Sequence, residues 1–263
     1  MKLRNITKDS LFTKSLKLAK SNPNKAGLMI LFDILFIVTI FILFRLSTYF
    51  AQVLVMPQTT AAIPIAIILS LTYYLMILFA YSFFKYCILD FIKSLFSKTS
   101  FSFNQLGQFY MLNIIIAGIF FAITIALNAI LASIKQSYAP FVFIVLAVPY
   151  ALFLYIIINI SHSLFYKGDS IKDATKKSFS IIFTKIKIYR EIILIMILFA
   201  ISLSILFFGI GYLINLLASK NYNLYLSIYS YFKQASIIIF DLIFYFIILI
   251  NRISFYSIAK EIT

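Results

Sequence analysis

The chain has 263 residues, of which 63% are hydrophobic and only 12% are charged. A soluble globular domain is about 45–50% apolar and about 25% charged, so the composition excludes an ordinary soluble fold and predicts a protein surrounded largely by lipid. The formal net charge of +15 lies beside the apolar segments, as in the loops of membrane proteins, and we therefore expect no nucleic-acid partner.

Six apolar segments are long enough to form helices that cross the bilayer, because a helix needs about 20 residues to span about 30 Å of hydrocarbon. They cover residues 28–50, 62–85, 110–133, 140–165, 191–216 and 236–257. The sequence therefore predicts an all-α fold, a polytopic membrane helical bundle of six transmembrane helices. We expect residues 1–263 to form a single integral membrane domain, in which residues 1–27 are a basic amphipathic segment on the cytoplasmic side.

Lys and Arg residues are distributed unequally between the two ends of these segments. Seven precede the first span, three follow the second, beginning with Lys85, seven follow the fourth, and two lie at the end of the chain. These 19 residues lie on the same side of the membrane as the two termini, and the other four lie on the opposite side. Cytoplasmic loops are enriched in Lys and Arg, so this distribution predicts that both termini face the cytoplasm. Abundant Ile, Phe, Lys and Asn without Trp is typical of an AT-rich prokaryotic genome, and we expect the cell membrane as the location.

Three short amphipathic segments, residues 9–24, 89–105 and 169–185, precede the odd-numbered spans. Such segments form helices that lie in the plane of the membrane interface, where their lysines reach anionic lipid headgroups. The odd-numbered spans also begin about 81 residues apart, so one interpretation is three tandem repeats, each an interfacial helix followed by a two-helix hairpin. Hairpins joined by linkers of similar length would give the same spacing without a repeat.

Ionisable side chains inside the predicted spans are candidates for a binding or coupling role, because such residues are costly in lipid. Asp33 lies close to the inner interface, and Asp241 lies near the middle of the last span. Either carboxyl group is able to bind a cation, relay a proton or pair with a substrate amine. The alternative is a packing residue that hydrogen-bonds within the bundle, and for Asp241 the expected partners are Asn128 and Asn215.

His162 is the only histidine and the third candidate for a binding or coupling role. It lies between Ser161 and Ser163, but neighbouring residues on one helix do not face each other, so neither serine is expected to be a nucleophile that this histidine activates. With one histidine, one cysteine and no HExxH motif, we expect no catalytic residue, no metal and no cofactor. A packed or interfacial histidine is the alternative, and Cys87 is expected to be a packed thiol.

The segment KDSLFTKSLKLAKSNPNKAGLMILFDILFI, residues 8–37, resembles the beginning of a prokaryotic six-span membrane family that includes the membrane domain of some glycerophosphodiester phosphodiesterases. The later segment DSIKDATKKSFSIIFTKIK, residues 169–187, is similar to the second basic amphipathic helix of that family. The resemblance extends to the layout of the whole chain and implies a six-helix membrane domain without an assigned activity. The phosphodiesterase activity is not carried over, because the chain contains no soluble phosphodiesterase domain.

The sequence predicts a non-enzymatic protein, because no group of residues supplies a nucleophile, a base and an oxyanion donor together. Two functions remain open at this point. One is a scaffold or helper subunit that binds another membrane protein. The other is the transmembrane subunit of a small-solute or lipid transporter of the export-permease type, whose partner would be a separate ATPase. The size of the chain, the number of spans and the basic amphipathic helix at the N-terminus also match the second function.

Overall fold

The computed structural model describes residues 10–53, 62–99, 101–218 and 221–262, which form eight helices and no strand. In chain order these helices are α1 (Leu11–Ser21), α2 (Pro23–Val53), α3 (Ala62–Ser94), α4 (Phe103–Ala132), α5 (Ala139–Lys167), α6 (Ile171–Thr184), α7 (Ile186–Ala218) and α8 (Tyr222–Ile262). The prediction of an all-α fold is therefore confirmed. The first nine residues of the predicted basic segment 1–27 lie outside the described residues.

Six of the eight described helices, α2, α3, α4, α5, α7 and α8, are long and apolar enough to cross a membrane. Their most apolar 18-residue windows have mean hydropathy between 2.1 and 2.9. Each of these helices contains most or all of one predicted span, which confirms a multi-pass integral membrane protein. Helix α2 begins at Pro23, a residue common in the first turn of a helix. Gly168 follows the last residue of α5, and its φ of 127° favours glycine.

The last helix is much longer than the span predicted from the sequence. With 41 residues, α8 extends over about 62 Å, roughly twice the thickness of the hydrocarbon layer. The tyrosine-rich residues 222–234, expected to lie outside the last span, are the first turns of this helix. The rings of Tyr225 and Tyr229 stack there at a centroid distance of 5.4 Å. The absence of glycine and proline from residues 222–262 explains why the helix continues.

The described helices group into two compact units. The four-span unit, the described part of residues 20–184, contains α2 to α6, and the two-span unit, the described part of residues 10–19 and 185–262, contains most of α1 together with α7 and α8. In the four-span unit α2 packs on α3, α3 packs on α4 and α5, and α6 packs on α4 and α5. In the two-span unit α7 packs along α8, and Ser15 of α1 accepts a hydrogen bond from Ser254 of α8 at 2.9 Å. The expectation of a single membrane domain stays a prediction.

The four-span unit is packed most tightly at one end, where α3 and α5 finish and α4 begins. We call this the basic end, because Lys85, Lys93 and Lys167 lie there. The fully buried large side chains of the unit lie at this end; they are Met29, Tyr86, Ile88, Ile92, Phe109, Leu112, Ile157, Ile160 and Leu164. Towards the other end large side chains such as Phe121 and Phe141 are 68% and 71% exposed, as expected for surfaces that face lipid.

The structure corrects the prediction of an interfacial helix at residues 89–105. Its first residues continue α3 as far as Ser94, and a turn follows. Ile92 is fully buried and Leu89 is 2% exposed, so the apolar face packs inside the protein instead of entering the headgroup layer. The reason is that no glycine or proline lies between residues 65 and 94 to end the helix. Within the described residues, the second proposed repeat therefore lacks a separate interfacial helix.

The amphipathic helix α6 forms where the sequence predicts it, but its apolar face also packs on protein. Ala174 and Ser178 are fully buried, and α6 contacts α4 and α5. Ser170 caps the helix, since its Oγ accepts a hydrogen bond from the backbone N–H of Asp173 at 3.1 Å and donates one to Oδ2 of Asp173 at 2.7 Å. An ion pair of 2.9 Å between Lys177 and Asp169 also stabilises the first turns.

Candidate functional site

His162 lies at the centre of a buried group of polar side chains at the basic end of the four-span unit. Its side chain is fully buried, and its Nε2 atom is 2.7 Å from Oδ1 of Asn113 on α4. Nδ2 of Asn113 donates to Oγ of Ser82 on α3 at 3.0 Å and to the carbonyl of Phe109 at 3.1 Å. Because the amide oxygen of Asn113 only accepts, Nε2 of His162 carries the hydrogen of this bond. One amide group therefore joins three helices.

Lys85 and Asn159 extend this group towards the end of α3. The Lys85 side chain is only 7% exposed, and its Nζ atom is 3.4 Å from Oδ1 of Asn159 on α5. Nδ2 of Asn159 donates to the carbonyl of Tyr155 at 2.8 Å. Ser82 and Lys85 are three residues apart on α3, as Asn159 and His162 are on α5, so each pair shares one face of its helix.

We call Ser82, Lys85, Asn113, Asn159 and His162 the polar cluster. From the sequence, His162 is a candidate for a binding or coupling role, whereas Lys85 is expected at the start of the loop after the second span. The structure places Lys85 inside α3 and buries it, because the helix continues nine residues beyond it. The sequence feature that indicates this cluster is a pair of polar residues three positions apart on α3 and a similar pair on α5. The pairing of those faces through Asn113 depends on tertiary packing.

The polar cluster has the properties of a group of buried residues that packs three helices together. Two aromatic rings lie against the imidazole, with centroid distances of 4.7 Å for Phe109 and 6.2 Å for Tyr81. The neighbouring hydroxyl groups of Ser161 and Ser163 donate to backbone carbonyls at 3.1 and 2.7 Å, so neither donates to the imidazole. Nδ1 of His162 has no hydrogen-bond partner within the described residues. This arrangement corresponds to the packed histidine that the sequence left open as the alternative.

A second set of contacts joins the ends of α3 and α5 to the segment between α3 and α4. The hydroxyl of Tyr166 donates to Oδ1 of Asp90 at 2.6 Å, and the hydroxyl of Thr99 donates to Oδ2 of Asp90 at 3.3 Å. Nζ of Lys93 donates to the carbonyl of Tyr166 at 3.4 Å and lies 5.1 Å from the centre of its ring. These contacts fix the geometry of the basic end.

The two acidic candidates lie in different environments. Asp33 is half-buried on α2 and interacts with other groups of the protein. Asp241 is exposed on α8, and within the described residues no hydrogen bond or ion pair involves its carboxyl group. Asn128 and Asn215, the partners expected for Asp241, have exposed side chains as well. A functional role for Asp33, Asp241 or His162 stays a prediction.

An apolar groove of about 470 Å³ lies between α2, α3 and α4 in the four-span unit. Its few polar atoms are already bonded, since the hydroxyls of Thr39 and Thr72 donate to carbonyls of their own helices and the hydroxyl of Tyr110 donates to the carbonyl of Leu75. The groove is therefore suited to an apolar chain. In the described part of the protein, no three His, Cys, Asp or Glu side chains are grouped to hold a metal ion, and the Cys87 thiol is buried as predicted.

Comparison with known proteins finds no matching family model, no similar curated protein and no similar solved structure. The resemblance of residues 8–37 and 169–187 to the six-span membrane family therefore stays a prediction.

Proposed function

We propose that the protein is a non-enzymatic scaffold or helper subunit that binds another membrane protein within the bilayer. The observation that supports this proposal is the exposed carboxyl group of Asp241 on an apolar part of α8. Asp241 lies eight residues after Lys233 and eleven before Arg252, and the neighbouring Ile238 and Leu242 are 59% and 55% exposed. The carboxyl group therefore lies on a surface that has the character of a lipid-facing helix.

An aspartate at the middle of a span costs about 2.5–3.5 kcal/mol on membrane-insertion scales unless another group pairs with it. In the polar cluster of the four-span unit, buried polar side chains bond to one another, as Asn113 does to Ser82 and His162. Asp241 has no such partner within the described residues. A second membrane protein that covers this face of α8 would supply the missing partner and remove the cost.

Affinity purification from membranes of the source organism, after cross-linking within the bilayer, tests this function. We expect the tagged protein to recover a specific integral membrane protein that a tag-only control does not recover. Asp241→Leu is expected to reduce the recovery about tenfold, the factor that corresponds to about 1.4 kcal/mol of binding free energy. Asn128→Leu, a similar change at an exposed residue of another span, is expected to leave it unchanged.

Two results of this purification would contradict the scaffold function. Recovery of no membrane protein above the tag-only control would remove its basis. Recovery of a soluble ATPase without a second membrane protein would instead support the transmembrane subunit of a transporter.

We also propose that the protein lies in the cell membrane with both termini in the cytoplasm. Six crossings place both termini on the same side, and the 19 cations described above favour the cytoplasm. Fluorescent protein fused after Thr263 is expected to fluoresce, and alkaline phosphatase is expected to be active when inserted at residues 56–61 or 133–138. Residues 54–61 lie outside the described residues, whereas 133–138 join α4 to α5. Phosphatase activity from a fusion after Thr263 would reverse the orientation.

A further inference from the structure

We infer that one face of α8 binds a transmembrane helix that carries a basic side chain at the depth of Asp241. This inference rests on the proposed function and specifies the surface and the chemistry of the partner. The face, which we call the docking line, consists of Ser227, Ser230, Gln234, Ile237 and Asp241. All five side chains are exposed.

The spacing of the docking line is that of a helix–helix seam. Successive members are separated by three, four, three and four residues, which is the heptad pattern that keeps side chains on the contact face of two helices that coil around each other. Four of the five members are polar in a helix that is otherwise largely apolar. Gln234 borders the predicted span 236–257 and Asp241 lies inside it, where amide and carboxyl side chains form hydrogen bonds between helices, so this part of the line suits a partner helix better than lipid.

The docking line faces away from α7, the helix that packs along α8 in the two-span unit. Phe232 lies nine residues before Asp241 and therefore about 180° around the helix. A Cβ atom added to Gly211 of α7 would lie 3.4 Å from the ring of Phe232, so α7 packs on the side opposite Asp241. Ser236, which is also on a different face from Asp241, has a buried hydroxyl group. The packing of α7 on α8 therefore leaves the docking line uncovered.

Charge complementarity determines the chemistry of the partner. In the described part of α8 around Asp241, its carboxyl group is flanked by exposed Ile238 and Leu242, and it has no cation beside it. A Lys or Arg side chain from a neighbouring span would neutralise the carboxylate and hydrogen-bond to it. A second copy of this chain with its own α8 alongside would place carboxylate against carboxylate, which is repulsive. The basic helix is therefore the occupant that we propose.

Synthetic transmembrane peptides in phosphatidylcholine vesicles test the inference directly. The probes are leucine-rich peptides of equal length with a single central Lys, Asp or Leu, each carrying an acceptor dye. The purified full-length protein carries a donor dye on a cysteine introduced by Leu224→Cys, a 51% exposed position at the start of α8, while the natural Cys87 is buried. Energy transfer as a function of the peptide-to-lipid ratio then reports binding to this helix.

We expect the Lys peptide to reach half-maximal energy transfer at a peptide-to-lipid ratio at least about tenfold lower than the Leu peptide and the Asp peptide, a factor that corresponds to one strong polar contact. Asp241→Leu is expected to abolish this preference, and Asp241→Asn to retain a small part of it through hydrogen bonding. Asn215→Leu, an exposed position on α7, serves as the matched control and is expected to retain the full preference. Equal binding of all three peptides to the wild-type protein, or a Lys preference that survives Asp241→Leu, would overturn the inference.

Self-association is measured in the same vesicles with donor- and acceptor-labelled copies of the protein. Energy transfer between copies that depends on Asp241 and resists competition by the Lys peptide would assign the docking line to a second copy and also overturn the inference. Failure of this inference is distinguishable from failure of the proposed function. If a membrane partner is still recovered from native membranes, only the surface and the partner chemistry are wrong. If the Lys peptide binds and no membrane partner is recovered, the proposed function is wrong.

Discussion

Asn113→Leu is expected to lower the free energy of unfolding by about 2–3 kcal/mol, because the change leaves buried hydrogen-bonding groups without partners. The substitution removes the acceptor 2.7 Å from Nε2 of His162 and the donor 3.0 Å from Oγ of Ser82. His162 is fully buried, so water cannot replace the lost acceptor. Titration with SDS in mixed micelles, monitored by circular dichroism, measures the effect as a lower midpoint of unfolding.

Asn128→Leu is the matched control for Asn113→Leu, since both residues lie on α4 and the chemical change is identical. Asn128 is exposed, and its side chain makes no hydrogen bond within the described residues, so we expect a change of less than about 0.5 kcal/mol. His162→Phe combined with Asn113→Leu is expected to recover part of the loss, because replacing both members of a buried pair costs less than removing one. Equal stability of Asn113→Leu and Asn128→Leu would show that the polar cluster does not stabilise the bundle.

The helices of this protein follow from the sequence because each span is a long apolar segment with few alternatives in lipid. Helix α2 begins at Pro23, and α3, α4 and α5 end at Ser94, Ala132 and Lys167. Each of these three helix ends is polar or is followed by serine or glycine. The exceptions are two segments whose sequences are equally compatible with an interfacial position and with continuation of the transmembrane helix. Residues 89–94 and 222–234 are both amphipathic or aromatic, and in both cases the absence of glycine and proline lets the span continue.

The candidate site is only partly readable from the sequence. His162 and Asp241 attract notice because each is an isolated ionisable residue inside an apolar segment. Lys85 does not, because a lysine at the end of an apolar segment is also the usual mark of a cytoplasmic loop. Which residues become partners depends on the rotation of each helix about its axis. That rotation is set by side-chain packing across α3, α4 and α5, and no local pattern in one segment encodes it.

The side chains of Asn113 and Asp241 represent two uses of polarity in this fold. The neutral amide of Asn113 lies in the interior, where it bonds to Ser82 and His162 and so stabilises the four-span unit. The carboxyl group of Asp241 lies on the surface, where it makes no hydrogen bond or ion pair within the described residues. Internal polar groups of this kind favour one packing of the helices, whereas an external one favours association with another helix.

Tyr166→Phe is expected to lower the free energy of unfolding by about 2 kcal/mol, the typical contribution of a hydrogen bond to a charged group. The substitution removes the 2.6 Å hydrogen bond from the hydroxyl of Tyr166 to Oδ1 of Asp90 and leaves the ring in place. The contact between Lys93 and the ring at 5.1 Å is retained with phenylalanine, so the measurement isolates the hydroxyl. The same SDS titration gives the change in midpoint.

The control for Tyr166→Phe is Tyr138→Phe, because Tyr138 is 63% exposed and its hydroxyl makes no hydrogen bond within the described residues. We expect this control to unfold like the wild-type protein. Loss of the bond to Tyr166 leaves Asp90 with the longer bond from Thr99 at 3.3 Å, so the segment between α3 and α4 is also expected to be cut faster by protease in Tyr166→Phe. If Tyr166→Phe matches Tyr138→Phe in both measurements, the contact with Asp90 does not hold the basic end together.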